Sequence, residues 1–158
     1  MTMFFMKFLI VSLAIFSACT RTSRADSCET HINNLEKCSA VISFSGNCQS
    51  MTVNLSQTEY SNCSANQFFW SYPLNNLTLI IETPMTDKHQ AYTIALNNEQ
   101  LAGAITNVYR IVDGKETEIT THEKILRLHS DENYQVIVKF QGPTRLSRYG
   151  ANVDYNSV

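Results

Sequence analysis

From Ser39 onward the apolar positions recur every second residue rather than every third or fourth. Met51, Val53 and Leu55 fall on one side of the chain, with Thr52 and Asn54 on the other. Leu77, Leu79 and Ile81 alternate with Thr78, Ile80 and Glu82, and Tyr92, Ile94 and Leu96 with Thr93 and Ala95. Tyr134, Val136, Val138 and Phe140 alternate with Gln135, Ile137, Lys139 and Gln141. A period of two with one apolar face predicts antiparallel strands packed into a sandwich or barrel. Gly46-Asn47, Pro73, Asn75-Asn76 and Asn97-Asn98 punctuate the runs.

Asp113-Gly114 predicts a two-residue type I′ hairpin that pairs Val112 with Lys115, Tyr109 with Glu118 and Val108 with Ile119. The second arm, Lys115-Glu116-Thr117-Glu118, is polar, as an exposed edge strand should be. A last hairpin is expected between Ile125–His129 and Tyr134–Gln141. Tyr134, after the turn containing Asp131, resembles the tyrosine corner of immunoglobulin-like sandwiches. The expected fold is therefore an all-β, antiparallel immunoglobulin-like β-sandwich of about eight or nine strands. Two further expectations frame it. Asp26-Ser27-Cys28-Glu29 reads as a capping box that opens a short helix over 27–37, with Cys28, Ile32 and Leu35 on one face. Residues 142–158 hold few apolar positions and read as a flexible tail.

The leader adds a destination. Phe8–Ala18 is apolar and uncharged behind Lys7. It is too short to cross a bilayer and fits the apolar region of a signal peptide over residues 1–18. It ends in Phe16-Ser17-Ala18-Cys19, which resembles the lipobox of bacterial lipoproteins, with Phe16 where Leu is usual. The resemblance covers the leader only. It implies that Cys19 receives a diacylglycerol and becomes the N-terminus, that residues 19–27 form a lipidated tether, and, with Thr20 next, that the anchor is in the outer membrane. Ser23-Arg24-Ala25 before Asp26 offers a rival cleavage site, which would release a soluble protein. The sequons at Asn54, Asn62 and Asn76 fit secretion with glycosylation.

Setting Cys19 aside leaves Cys28, Cys38, Cys48 and Cys63, an even set that predicts two disulfides in an exported chain. Three connectivities exist. A helix over 27–37 would hold Cys28 and Cys38 about 15 Å apart, beyond the roughly 7 Å a disulfide tolerates. The bridges would then tie the helix to the strands that follow. Asn33-Asn34 weakens that helix, so sequential pairing stays open.

Composition narrows the function. The chain has 158 residues, 16% of them charged, and a net charge of −2. It reads as one domain, over residues 28–141, without the basic footprint of a nucleic-acid binder. His31, His89, His122 and His129 form no HxH or HExxH pair, and no GxSxG elbow, P-loop or dinucleotide fingerprint occurs. The reading is non-enzymatic, with no catalytic residue, metal or cofactor. In Phe68-Phe69-Trp70-Ser71-Tyr72, Phe68, Trp70 and Tyr72 face one way and Phe69 the other. Phe69 and Trp70 are candidate binding residues, as are Lys115, Glu116 and Glu118 on the polar edge; the loop Thr83–Gln90 is a further candidate surface. The expected function is a membrane-anchored, non-enzymatic protein-binding module of the cell envelope, such as an assembly accessory, exclusion factor or inhibitor. The alternative is a soluble secreted protein that binds carbohydrate or a host protein.

Overall fold

The alternation builds two sheets. A computed structural model describes residues 28–45, 48–71, 75–120, 122–145 and 148–158; the leader, Cys19 and the proposed cap Asp26 lie outside them. Its strands are β1 (Thr30–Glu36), β2 (Ser39–Phe44), β3 (Ser50–Asn54), β4 (Ala65–Ser71), β5 (Asn76–Ile81), β6 (Thr93–Asn97), β7 (Asn107–Val112), β8 (Lys115–Glu118), β9 (Ile125–His129), β10 (Val136–Gln141) and β11 (Gly150–Ser157). A single α-helical turn among the described residues, α1 (Asn98–Leu101), follows β6, and short 3-10 turns lie at Leu55–Gln57, Glu59–Asn62 and Thr86–Lys88. A six-stranded sheet runs β1-β2-β4-β11-β6-β9, and a five-stranded sheet runs β3-β5-β10-β7-β8.

Both sheets turn their apolar faces to one core, which makes the fold β-sandwich-like. The first sheet contributes Ile42, Phe68, Trp70, Val153, Ile94 and Leu126, among others; the second contributes Val53, Leu79, Val138, Phe140 and Val108. Burying a large apolar side chain contributes about 1.5–3 kcal/mol. Some buried polar groups find partners within the core, whereas Trp70 Nε1 and Asn66 Oδ1 have none among the described residues. The Tyr92 hydroxyl donates to the Ile81 carbonyl at 2.7 Å, and burial pushes its pKa up, keeping the proton on. Asn66 Nδ2 donates to the Tyr155 hydroxyl at 2.9 Å.

The chain changes sheet at almost every connection; among the described strands only β1–β2 and β7–β8 stay in one sheet. This corrects the purely antiparallel expectation. β2 pairs with β4 in parallel, and so does β3 with β5. A parallel pair needs a crossover, and here each crossover is a strand of the opposite sheet. The expected last hairpin is likewise an arch: β9 pairs with β6, and β10 lies between β5 and β7 in the other sheet. Asp131 Oδ1 shapes the arch by accepting from the backbone N–H of Asn133 and Gln135, both at 2.9 Å. Arg110 closes it, donating to the carbonyls of Ile137 at 3.0 Å, His129 at 2.9 Å and Gln135 at 3.3 Å. Tyr134 sits in this arch at φ 58° with its ring edge-on to His89.

Both flanking expectations are overturned. Residues 30–36 are a strand, not a helix. β1 pairs with β2 from Thr30↔Phe44 to Glu36↔Ser39, and the ladder outweighs the weak helical propensity of Asn33-Asn34. The tail contains β11, which is central: it pairs with β4 on one side and β6 on the other, and buries Ala151, Val153 and Tyr155. The four cysteines form Cys28–Cys48 and Cys38–Cys63, with Cα separations of 5.3 and 5.8 Å. Cys28 and Cys38 lie beyond opposite ends of β1, so an extended strand separates them further than the expected helix would.

Candidate functional site

The hairpin at Asp113-Gly114 forms as the sequence predicts. Both residues have positive φ, 51° and 75°, as a type I′ turn requires. Val112 pairs with Lys115 and Tyr109 with Glu118, and the Ile119 N–H donates to the Val108 carbonyl at 2.8 Å. β8 is therefore an exposed edge. Its charges are partly committed within the domain. Glu116 receives both of its bonds from Lys139 at 2.8 Å, and Lys139 stands over the Tyr109 ring. Lys115 is exposed at the hairpin. Glu118 borders a cleft of about 510 Å³ whose floor includes Leu101, Ile105, Val108 and Ile119. The Thr83–Gln90 loop is folded on itself: Thr83 is buried, and the Met85 N–H donates to its hydroxyl at 3.2 Å.

The aromatic candidates separate by strand alternation. On β4, Asn66, Phe68 and Trp70 point inward and Gln67 and Phe69 outward. Trp70 is fully buried, so it fills the core and is no surface residue. Tyr72 lies outside the described residues. Phe69 is 37% exposed on the outer face of the six-stranded sheet. It stands opposite Val41 of β2 and Asn152 of β11. The row beside it is Ser39, Gln67 and Asp154.

Gly150 explains the pose of Phe69. A Cβ built there would stand 2.0 Å from Phe69 Cζ and 2.5 and 2.6 Å from the two Cε atoms. Such even spacing means that the ring meets Gly150 with its face, since an edge-on approach would leave the Cε atoms farther away. The ring thus lies over the strand where any other residue would project. Its opposite face points away from the strand. Next to it lies a cleft of about 340 Å³, lined in part by Leu35, Gln67, Phe69, Gln100, Asn152 and Asp154. Leu35 is 62% exposed at its rim. Half-burial pushes the Asp154 pKa up, and a hydrogen bond with the Gln100 side chain partly offsets the shift.

The structure therefore divides the sequence candidates. Phe69 stands on the outer face of one sheet, Lys115, Glu116 and Glu118 on the edge of the other, and Trp70 in the core between. Sequence reasoning missed Asn152, Asp154 and Gly150 by reading their segment as a tail. The signal was present, since Ala151, Val153 and Tyr155 alternate with Asn152, Asp154 and Asn156. Among the described residues no group of three or more His, Cys, Asp or Glu side chains is placed to hold a metal ion, and no helix is long and apolar enough to cross a membrane. No protein-family model matches the chain, and no curated protein matches it.

Proposed function

We propose that the chain is an exported, non-enzymatic binding module of the cell envelope, anchored in the outer membrane through a lipid on Cys19. Its working surface is the outer face of the six-stranded sheet around Phe69, and its partner is a macromolecule displayed at or outside the envelope. The domain is best read as an immunoglobulin-like sandwich variant whose two parallel pairings set it apart from the all-antiparallel type. The observation that carries the reading is an exposed aromatic ring beside a polar-rimmed cleft on a disulfide-bonded domain. The two disulfides support an oxidising compartment. The Phe69 face is favoured over the β8 edge because it presents an exposed aromatic ring beside a cleft, whereas β8 presents polar side chains of which Glu116 is paired with Lys139.

A soluble, glycosylated protein is the second reading. It draws on the exposed sequon at Asn62, whereas the Asn54 side chain caps its own short helical turn by accepting from the Ser56 N–H at 3.0 Å. Intact mass of natively made protein, combined with fractionation of Cys19→Ser, tests the choice. The expected outcome is a diacylglyceryl or triacyl adduct on Cys19 and release of the variant from the membrane fraction. An unmodified start at Asp26, hexose on Asn62, or a Cys19→Ser chain that stays on the membrane would overturn the anchor.

A further inference from the structure

We infer that the Phe69 face binds a neutral oligosaccharide, one pyranose ring stacking on Phe69 and its hydroxyls bonding to the side chains around it. The inference rests on the reading of this face as the working surface and names its ligand class. Four observations carry it. The Phe69 ring is held flat on the sheet by Gly150, so it offers a face rather than an edge. That face carries the negative lobe of the ring quadrupole and suits the polarised C–H groups of a pyranose. The surrounding groups are planar hydrogen-bonding side chains: Gln67, Gln100 and Asn152, with Asp154 as an acceptor. Amides donate and accept in fixed planes, which matches the paired donor and acceptor character of vicinal hydroxyls.

The same chemistry disfavours other ligands. Among the described residues no Lys or Arg lines this cleft, and Asp154 does, which counts against phosphate or sulfate groups. A protein hot spot is a fully desolvated apolar anchor in a closely packed setting. Here the apolar groups are Phe69 and Val41 beside it, with Leu35 at the rim, and the neighbouring outward positions are the polar Ser39, Gln67, Asn152 and Asp154. A volume of about 340 Å³ suits one or two sugar rings rather than an extended apolar side-chain cluster.

The test uses the mature Cys19→Ser chain, which carries the whole domain without lipid. Cellotetraose, chitotetraose, laminaritetraose and mannotetraose are titrated while backbone amide shifts are followed. At least one is expected to give saturable shifts at Gln67, Phe69, Gln100, Gly150 and Asn152. Phe69→Ala and Asn152→Ala should each weaken that binding about tenfold or more, and Phe69→Trp should keep it. Absence of shifts with every probe, or shifts confined elsewhere, would overturn the glycan inference. A second readout separates this from failure of the face itself. Attachment of the labelled chain to envelope preparations should depend on Phe69 and disappear after periodate treatment. Attachment that depends on Phe69 but is lost to protease and not to periodate would retain the face and replace the glycan by a protein. Attachment indifferent to Phe69→Ala would remove both.

Discussion

β1 and β11 belong to the same sheet and are held in it by different means. β1 is an edge strand with one neighbour, and only Thr30 and Ile32 of its residues are even half-buried. β11 has two neighbours and drives Ala151, Val153 and Tyr155 into the core. Both disulfides attach beside β1: Cys28 precedes it, and Cys38 lies in the turn to β2 at φ 64°. Asn34 adds a polar tie, accepting from the Tyr60 hydroxyl and donating to Glu59. Of the two strands, the covalent links sit beside the one with the thinner burial, and the strand placed by burial has none. A disulfide acts chiefly on the unfolded chain, so it can secure an edge that contributes little apolar area of its own.

The largest break in that comparison is removal of β11. A chain ending at Tyr149 leaves β4 and β6 without the strand between them and opens the core beneath Trp70. The expected result is no cooperative thermal transition and loss of near-ultraviolet circular dichroism. A cooperative melt close to that of the whole chain would show that β11 is dispensable.

That strand also marks where sequence reasoning reached and where it stopped. Local rules were sufficient for the β7–β8 hairpin, because Asp113-Gly114 determines both the turn and the register within ten residues. The inward placing of Phe68 and Trp70 against Phe69 follows from alternation alone. The β9–β10 arch was not legible. Its turn residues are those of a hairpin, and the bonds that hold it as an arch come from Arg110, distant in sequence. The β1 segment was misread because its polar residues carry no buried face, so only its ladder with β2 makes it a strand. Gly150 gives no local hint of its role, since the ring that covers it lies 81 positions earlier by the sequence numbers of Phe69 and Gly150.

A smaller perturbation addresses the stapled edge. Removing Cys38–Cys63 by a double change to Ala opens a loop with a sequence separation of 25. Chain-entropy arguments put the loss at about 3 kcal/mol in denaturant titration. Native-state hydrogen exchange should show the β1 and β2 amides opening first while those of β11 keep their protection. Equal loss of protection in β11 would mean that the bridge supports the whole domain and not its edge.

The finest test lies on β11 itself, at the contact that connects the fold to the proposed site. Gly150→Ala places a methyl group 2.0 Å from Phe69 Cζ, so the ring must leave the strand. The expected cost is about 1–3 kcal/mol, typical of forcing a side chain out of place. In a Phe69→Ala background the obstacle is absent, and Ala is the better strand residue at an ordinary φ, so Gly150→Ala should be neutral or slightly stabilising. The double-mutant cycle therefore predicts a coupling of about 1 kcal/mol or more between two residues in adjacent strands. Additive effects would show that the ring does not rest on Gly150. In that event the flat platform loses its support even if Phe69 remains exposed. Coupling together with unchanged affinity for the oligosaccharide probes in Gly150→Ala would separate the pose of the ring from its use. Coupling with weakened affinity would tie the glycine of one strand to the recognition surface of the next.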